Sequence, residues 1–115
     1  MSVVDILSNY INTELGIEYC GGDEDFYAEM LQDYVDGDKT ELLNQYLEAE
    51  NWTDYRVQIH AVKSTSLMIG AEELSAHAKE LELAAAQGDG AAVKAGHAAV
   101  LEEYKKLLDM IREAL

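Results

Sequence analysis

Apolar residues recur along most of this chain at the three- and four-residue steps of a helix. The strongest run is the last: Val93, His97, Val100, Tyr104, Leu107, Ile111 and Ala114 alternate steps of four and three. This predicts a long C-terminal helix with one buried stripe. Before it, Leu74, Ala78, Leu81 and Ala85 mark a helix over about 71–86, and Gln87-Gly88-Asp89-Gly90 makes a tight connection. A further helix runs from near Thr53 to Leu67 or Met68 and ends before Gly70, a natural left-handed cap. Upstream, Asp23 can cap a helix starting near Glu24. Tyr27, Leu31, Tyr34 or Val35, Leu42, Tyr46 and Ala49 then fit one long helix. Gly37 is its weak point and can divide it, since an interior glycine costs about 1 kcal/mol. Residues 3–11 predict a short helix, and the three glycines between Gly16 and Asp23 break the pattern.

Four amphipathic helices joined by short connections must bury their stripes against one another, and short loops make successive helices antiparallel. The expectation is an all-α, up-down-up-down four-helix bundle with a short additional N-terminal helix, residues 1–115 forming a single domain. A chain of 115 residues leaves little room for a second core. Proline is absent, which suits long helices.

Charge narrows the function. The formal net charge is −15, and residues 1–50 hold 13 of the 23 carboxylates but only Lys39 among the basic side chains. Nucleic acid and an anionic membrane surface are disfavoured as partners, because both need a basic footprint. No apolar run is long enough to cross a bilayer, and the lone Cys20 fits a reducing compartment, so a cytoplasmic location is expected. Motif spacing for zinc, calcium, bundle di-metal or nucleotide-phosphate sites is missing: position 74, before His77, is leucine, and position 94, before His97, is lysine.

The three histidines separate by helical phase. At 100° per residue, Tyr55, Ile59, Val62, Ser66 and Ile69 fall in one narrow arc, the core face of the third main helix. His60 points roughly 150° away from it. Val57, Ala61, Ser64, Leu67 and Met68 share its side, with Arg56 and Lys63 on its flank. Solvated helix faces are normally polar, so this apolar surround suggests docking; a covering N-terminal segment or a second copy is the alternative. An exposed imidazole keeps a neutral nucleophilic nitrogen near neutral pH and can accept a phosphoryl group. Lys63 and Arg56 can set positive charge beside the phosphate oxygens, and Ser64 is small enough to leave the approach open. His97 lies in the apolar stripe of the last helix and reads as a hydrogen-bonded core or boundary residue; His77 has Glu73 one turn before it and reads as a local ion pair or an ordinary surface residue.

The segment from His60 to Leu74, with Lys63, Ser64, Gly70, Ala71 and Leu74 at their spacings, resembles the signature of histidine-containing phosphotransfer (HPt) domains. Leu81-Glu82 extends the match, and Gly22-Asp23, Phe26-Tyr27 and Leu31 resemble the start of that family's second helix. The resemblance implies a phosphohistidine intermediate in a multistep two-component phosphorelay, carried on the distal ring nitrogen of His60 and exchanged with aspartates of response-regulator receiver domains. It also implies no autonomous kinase activity and no cofactor bound by this chain; the receiver supplies the aspartate and a magnesium ion. A hybrid sensor kinase is a further implied partner, and a monomer is expected. The family most often has glycine where this chain has Ser64, whose hydroxyl can bond to the phosphate or to the carbonyl of His60. The alternative function is a helical adaptor that binds a signalling partner without phosphotransfer.

Overall fold

The computed structural model describes residues 2–115, which form seven helices and no strand: α1 Val3–Leu7, α2 Thr13–Tyr19, α3 Glu24–Asp36, α4 Thr40–Glu48, α5 Trp52–Met68, α6 Glu72–Ala86 and α7 Gly90–Ala114. Local chemistry sets most starting points. Side chains of Ser2, Asn12, Asp23, Asn51 and Asp89 each accept a hydrogen bond from a first-turn amide, satisfying donors that the helix itself leaves open. The chain is all-α, with a core of helices flanked by additional N-terminal ones.

The buried stripes of the last two helices lie where the sequence pattern puts them. Leu74, Ala78, Leu81 and Ala85 of α6, and Val93, His97, Val100, Tyr104, Leu107 and Ile111 of α7, are all buried, while Ala114 is half-buried. The expected helix over 3–11 is shorter, ending at Leu7, with Leu7 itself buried.

Two expectations are overturned. Gly16 does not break the chain: it sits inside α2. A β-carbon there would lie 2.7 Å from the Ile69 carbonyl oxygen and would also collide with the Tyr27 ring. Glycine is needed at this position so that α2 can approach α3 and the end of α5 closely. The long helix over 24–49 is two helices, parted at Gly37–Lys39. The Asp38 side chain accepts from the Thr40 amide at 2.9 Å, and the Lys39 amide turns out of the helix to donate to the Tyr104 hydroxyl at 3.0 Å. The break resets the helical phase: Leu43 is fully buried, Leu42 and Tyr46 are only half-buried, and Ala49 is exposed.

Gly70 has φ +93°, the left-handed conformation that closes α5. Its carbonyl accepts from the Asn12 amide at 2.9 Å, and the preceding Ile69 carbonyl accepts from the Tyr27 hydroxyl at 2.7 Å. The C-terminal end of α5 is thereby tied to α2 and α3.

Candidate functional site

Helix α5 carries the site, and its rotation is fixed by what it buries. Tyr55, Ile59, Val62 and Ser66 face inward with Ile69 beyond the helix end, none more than 1% exposed. The hydroxyls of Ser66 and Tyr34 pair at 2.7 Å in the α3 interface, and on another side Ser75 of α6 donates to the Lys63 carbonyl at 2.9 Å. With those contacts made, His60 faces solvent, its side chain 59% exposed.

The ring is nonetheless oriented. Its Nδ1 meets Oε2 of Glu82 on α6, and Oε1 of the same carboxylate accepts from the Lys63 ammonium at 2.7 Å. A carboxylate only accepts, so Nδ1 is the protonated nitrogen and the neutral imidazole presents the lone pair of Nε2 outward. Glu82 is only 14% exposed. Burial opposes its ionisation, but the hydrogen bonds from Lys63 and His60 prevail and hold its carboxyl below the usual glutamate range. Glu82 is the residue that helical phase failed to single out. Its only trace in the sequence is the Leu81-Glu82 pair, because its partners lie on the neighbouring helix, 22 and 19 residues away.

Of the other residues marked out by sequence, Val57, Leu67 and Met68 are exposed on the His60 side of α5, while Ala61 and Ser64 are half-buried there. Lys63 is drawn to Glu82. Arg56 is exposed and makes no ion pair among the described residues. Ala71 and Leu74 are buried just beyond the Gly70 cap.

The remaining histidines have different tasks. His97 is buried as expected: its Nε2–H donates to Asn44 Oδ1 and its Nδ1 accepts from the Tyr55 hydroxyl, both at 2.8 Å. Burial pushes its pKa below the usual histidine value, and both nitrogens of the neutral ring are satisfied. His77 pairs with Glu103 of α7 at 2.8 Å rather than with Glu73. Its side chain leans toward the adjacent helix, a direction that spacing along α6 does not reveal. No group of residues suited to a metal ion occurs among those described, nor any helix long and apolar enough to cross a membrane.

A helical core that holds one imidazole against a carboxylate and turns its second nitrogen to solvent presents an exposed nitrogen nucleophile on a helical scaffold. The chain belongs to the Hpt domain family, whose model matches residues 25–114. It is a phosphohistidine intermediate between receiver domains, without kinase activity of its own. Comparison with curated proteins and with solved structures finds no match.

Proposed function

We propose that His60 is the phosphoryl acceptor and that Nε2 is the bonding atom. The observation carrying this reading is the Glu82 contact, which commits Nδ1 to a proton and leaves Nε2 as an exposed lone pair. In the forward step Nε2 attacks the phosphorus of a receiver's aspartyl phosphate. The N–P bond forms, the P–O bond breaks, and the electron pair returns to the receiver's aspartate as a carboxylate. The ring then bears phosphoryl at Nε2 and a proton at Nδ1, a cationic imidazolium facing the negative charge of Glu82. Reversal expels a neutral imidazole, a far better leaving group than an imidazolate, so Glu82 serves both directions. A magnesium ion held by the receiver offsets charge on the transferring group.

The receiver, borne by a response regulator or a hybrid sensor kinase, lays an apolar surface over Val57, Ala61, Leu67 and Met68. Ser64, one turn after His60, keeps that approach low. Gly70, Ala71 and Leu74 hold the α5–α6 corner that aligns His60 with Glu82. The reading takes α3 with α4, α5, α6 and α7 as the antiparallel up-down-up-down bundle of one domain, acting as a cytoplasmic monomer. The short connections after α5 and α6 support it.

A phosphorylated receiver tests the assignment. Label should pass to the wild-type chain and not to His60→Gln, and the product should be acid-labile, as N–P bonds are. Persistent labelling of His60→Gln sinks the assignment of the acceptor. Tight binding of the phosphorylated receiver with no transfer makes the chain an adaptor instead.

A further inference from the structure

The Lys63 ammonium, the cation that His-to-Lys spacing places beside the phosphoryl group, is already engaged. It donates to Glu82 at 2.7 Å, and its charge and that of the carboxylate cancel. Two other cations stand on the same two helices, each one turn along from the His60–Glu82 pair, and neither is engaged among the described residues. Arg56 lies one turn before His60 on α5, and Lys79 lies one turn before Glu82 on α6; both are exposed, and neither makes an ion pair among the described residues.

Their isolation is unusual in a chain of net charge −15. The residues three or four positions from Arg56 are Trp52, Thr53, Ile59 and His60, with no carboxylate among them. Those around Lys79 are Ser75, Ala76, Glu82 and Leu83, and both oxygens of Glu82 are taken by His60 and Lys63. The other unpaired lysines on helices, Lys105 and Lys106, each have Glu102 and Asp109 three or four positions away on α7. Arg56 and Lys79 therefore carry charge that their own helices do not offset, one on the helix of His60 and one on the helix of Glu82. A phosphoryl group brings roughly two negative charges, the amount these two cations can meet once Lys63 and Glu82 have neutralised each other.

We propose that Arg56 and Lys79 form the anion clamp for the phosphoryl group on His60, with Lys63 acting as a positioning residue that holds Glu82 against Nδ1. The clamp rests on the assignment of His60 as acceptor. It binds the transferred group from the α5 side through Arg56 and from the α6 side through Lys79. No ion pair among the described residues has to break for it to close, whereas recruiting Lys63 would unbind Glu82 at the moment the ring becomes cationic.

The experiment compares wild type, Arg56→Gln, Lys79→Gln, the double variant, Lys79→Arg and Lys63→Met, each mixed with the same phosphorylated receiver. Two quantities are read: the equilibrium share of phosphoryl on His60, and the midpoint of its second ionisation from the phosphorus-31 NMR shift against pH. Each glutamine variant should lower the His60 share by about two- to fivefold, the range of exposed ion pairs, and raise the midpoint, because a lost cation favours the protonated phosphoryl group. The double variant should do both more strongly, and Lys79→Arg should restore wild-type values. Lys63→Met uncovers the Glu82 charge, so it should raise the midpoint less than the double variant does while altering the His60 tautomer. A midpoint unmoved by the double variant, or moved as far by Lys63→Met, overturns the clamp while the relay stands. Absence of label on wild-type His60 overturns the acceptor assignment and the clamp together.

Discussion

Tyr34 and Ser66 share a buried hydrogen bond of 2.7 Å between α3 and α5, and this pair fixes the face on which His60 emerges six residues earlier. Both residues are at most 5% exposed, and burial drives the Tyr34 hydroxyl pKa far above its ordinary value. Replacing Ser66 with alanine leaves the tyrosine hydroxyl without that partner, which should cost about 1–3 kcal/mol in urea unfolding. Adding Tyr34→Phe should recover part of the loss, because both polar groups are then gone; a strictly additive double variant would show that the pair does not interact.

Glu82→Gln removes the charge that favours a proton on Nδ1 of His60 and sets Lys63 free. Phosphotransfer should slow roughly tenfold, the lower end of the loss for an oriented imidazole deprived of its carboxylate partner. Nitrogen-15 NMR should show the ring moving toward the Nε2–H tautomer. A variant that keeps the Nδ1–H tautomer and the wild-type rate removes Glu82 from the mechanism.

Gly16→Ala separates two readings of one residue. If glycine were merely a weak helix former here, alanine would stabilise α2 by about 1 kcal/mol. The close approach to Ile69 predicts the opposite sign, a loss of about 1–3 kcal/mol through overpacking. Thermal or urea unfolding decides between them.

Ser64→Leu should leave the helices intact, since position 64 lies away from the inward face of α5. Its bulk should lift a receiver from the ring, lowering affinity and transfer rate together. Ser64→Gly should preserve or improve transfer while costing up to about 1 kcal/mol in helix stability. Receiver titration, quenched transfer and unfolding should be measured on the same samples; a folded Ser64→Leu chain that binds and transfers normally refutes the proposed contact face.

Acid acts through two histidines with opposite signs. Burial depresses His97, so the unfolded chain binds its proton more readily. Its contribution to stability is complete above the ordinary value of 6.5 and is lost as pH falls through the depressed folded value. The Glu103 hydrogen bond raises His77, whose contribution is present below 6.5 and lost as pH rises through its raised value. His77 is half exposed, so its contribution is screened and His97 should dominate. Ring NMR titrations should place the His97 midpoint below that of His77, and the reverse order refutes the buried neutral network with Tyr55 and Asn44.

The phase of single helices was legible in the sequence. Periodicity alone put Tyr55, Ile59, Val62, Ser66 and Ile69 inside and His60 outside, because on a helix of known pitch a residue's direction depends only on its position. The Asp23 cap and the left-handed Gly70 were legible for the same local reason. What the sequence left undecided is where one helix meets another. Gly16 reads as a breaker until Ile69 and Tyr27 crowd it. The division that Gly37 allows and the Asp38 bond to Thr40 begins is completed by a hydroxyl 65 residues away on Tyr104. His77 finds Glu103 instead of Glu73, and Glu82 reaches His60 and Lys63, only because the helices pack at particular distances and rotations. Backbone pitch is set residue by residue, whereas these contacts are set by the joint packing of several faces, and the choice of the His60 nitrogen that stays open to solvent belongs to that second kind of determination.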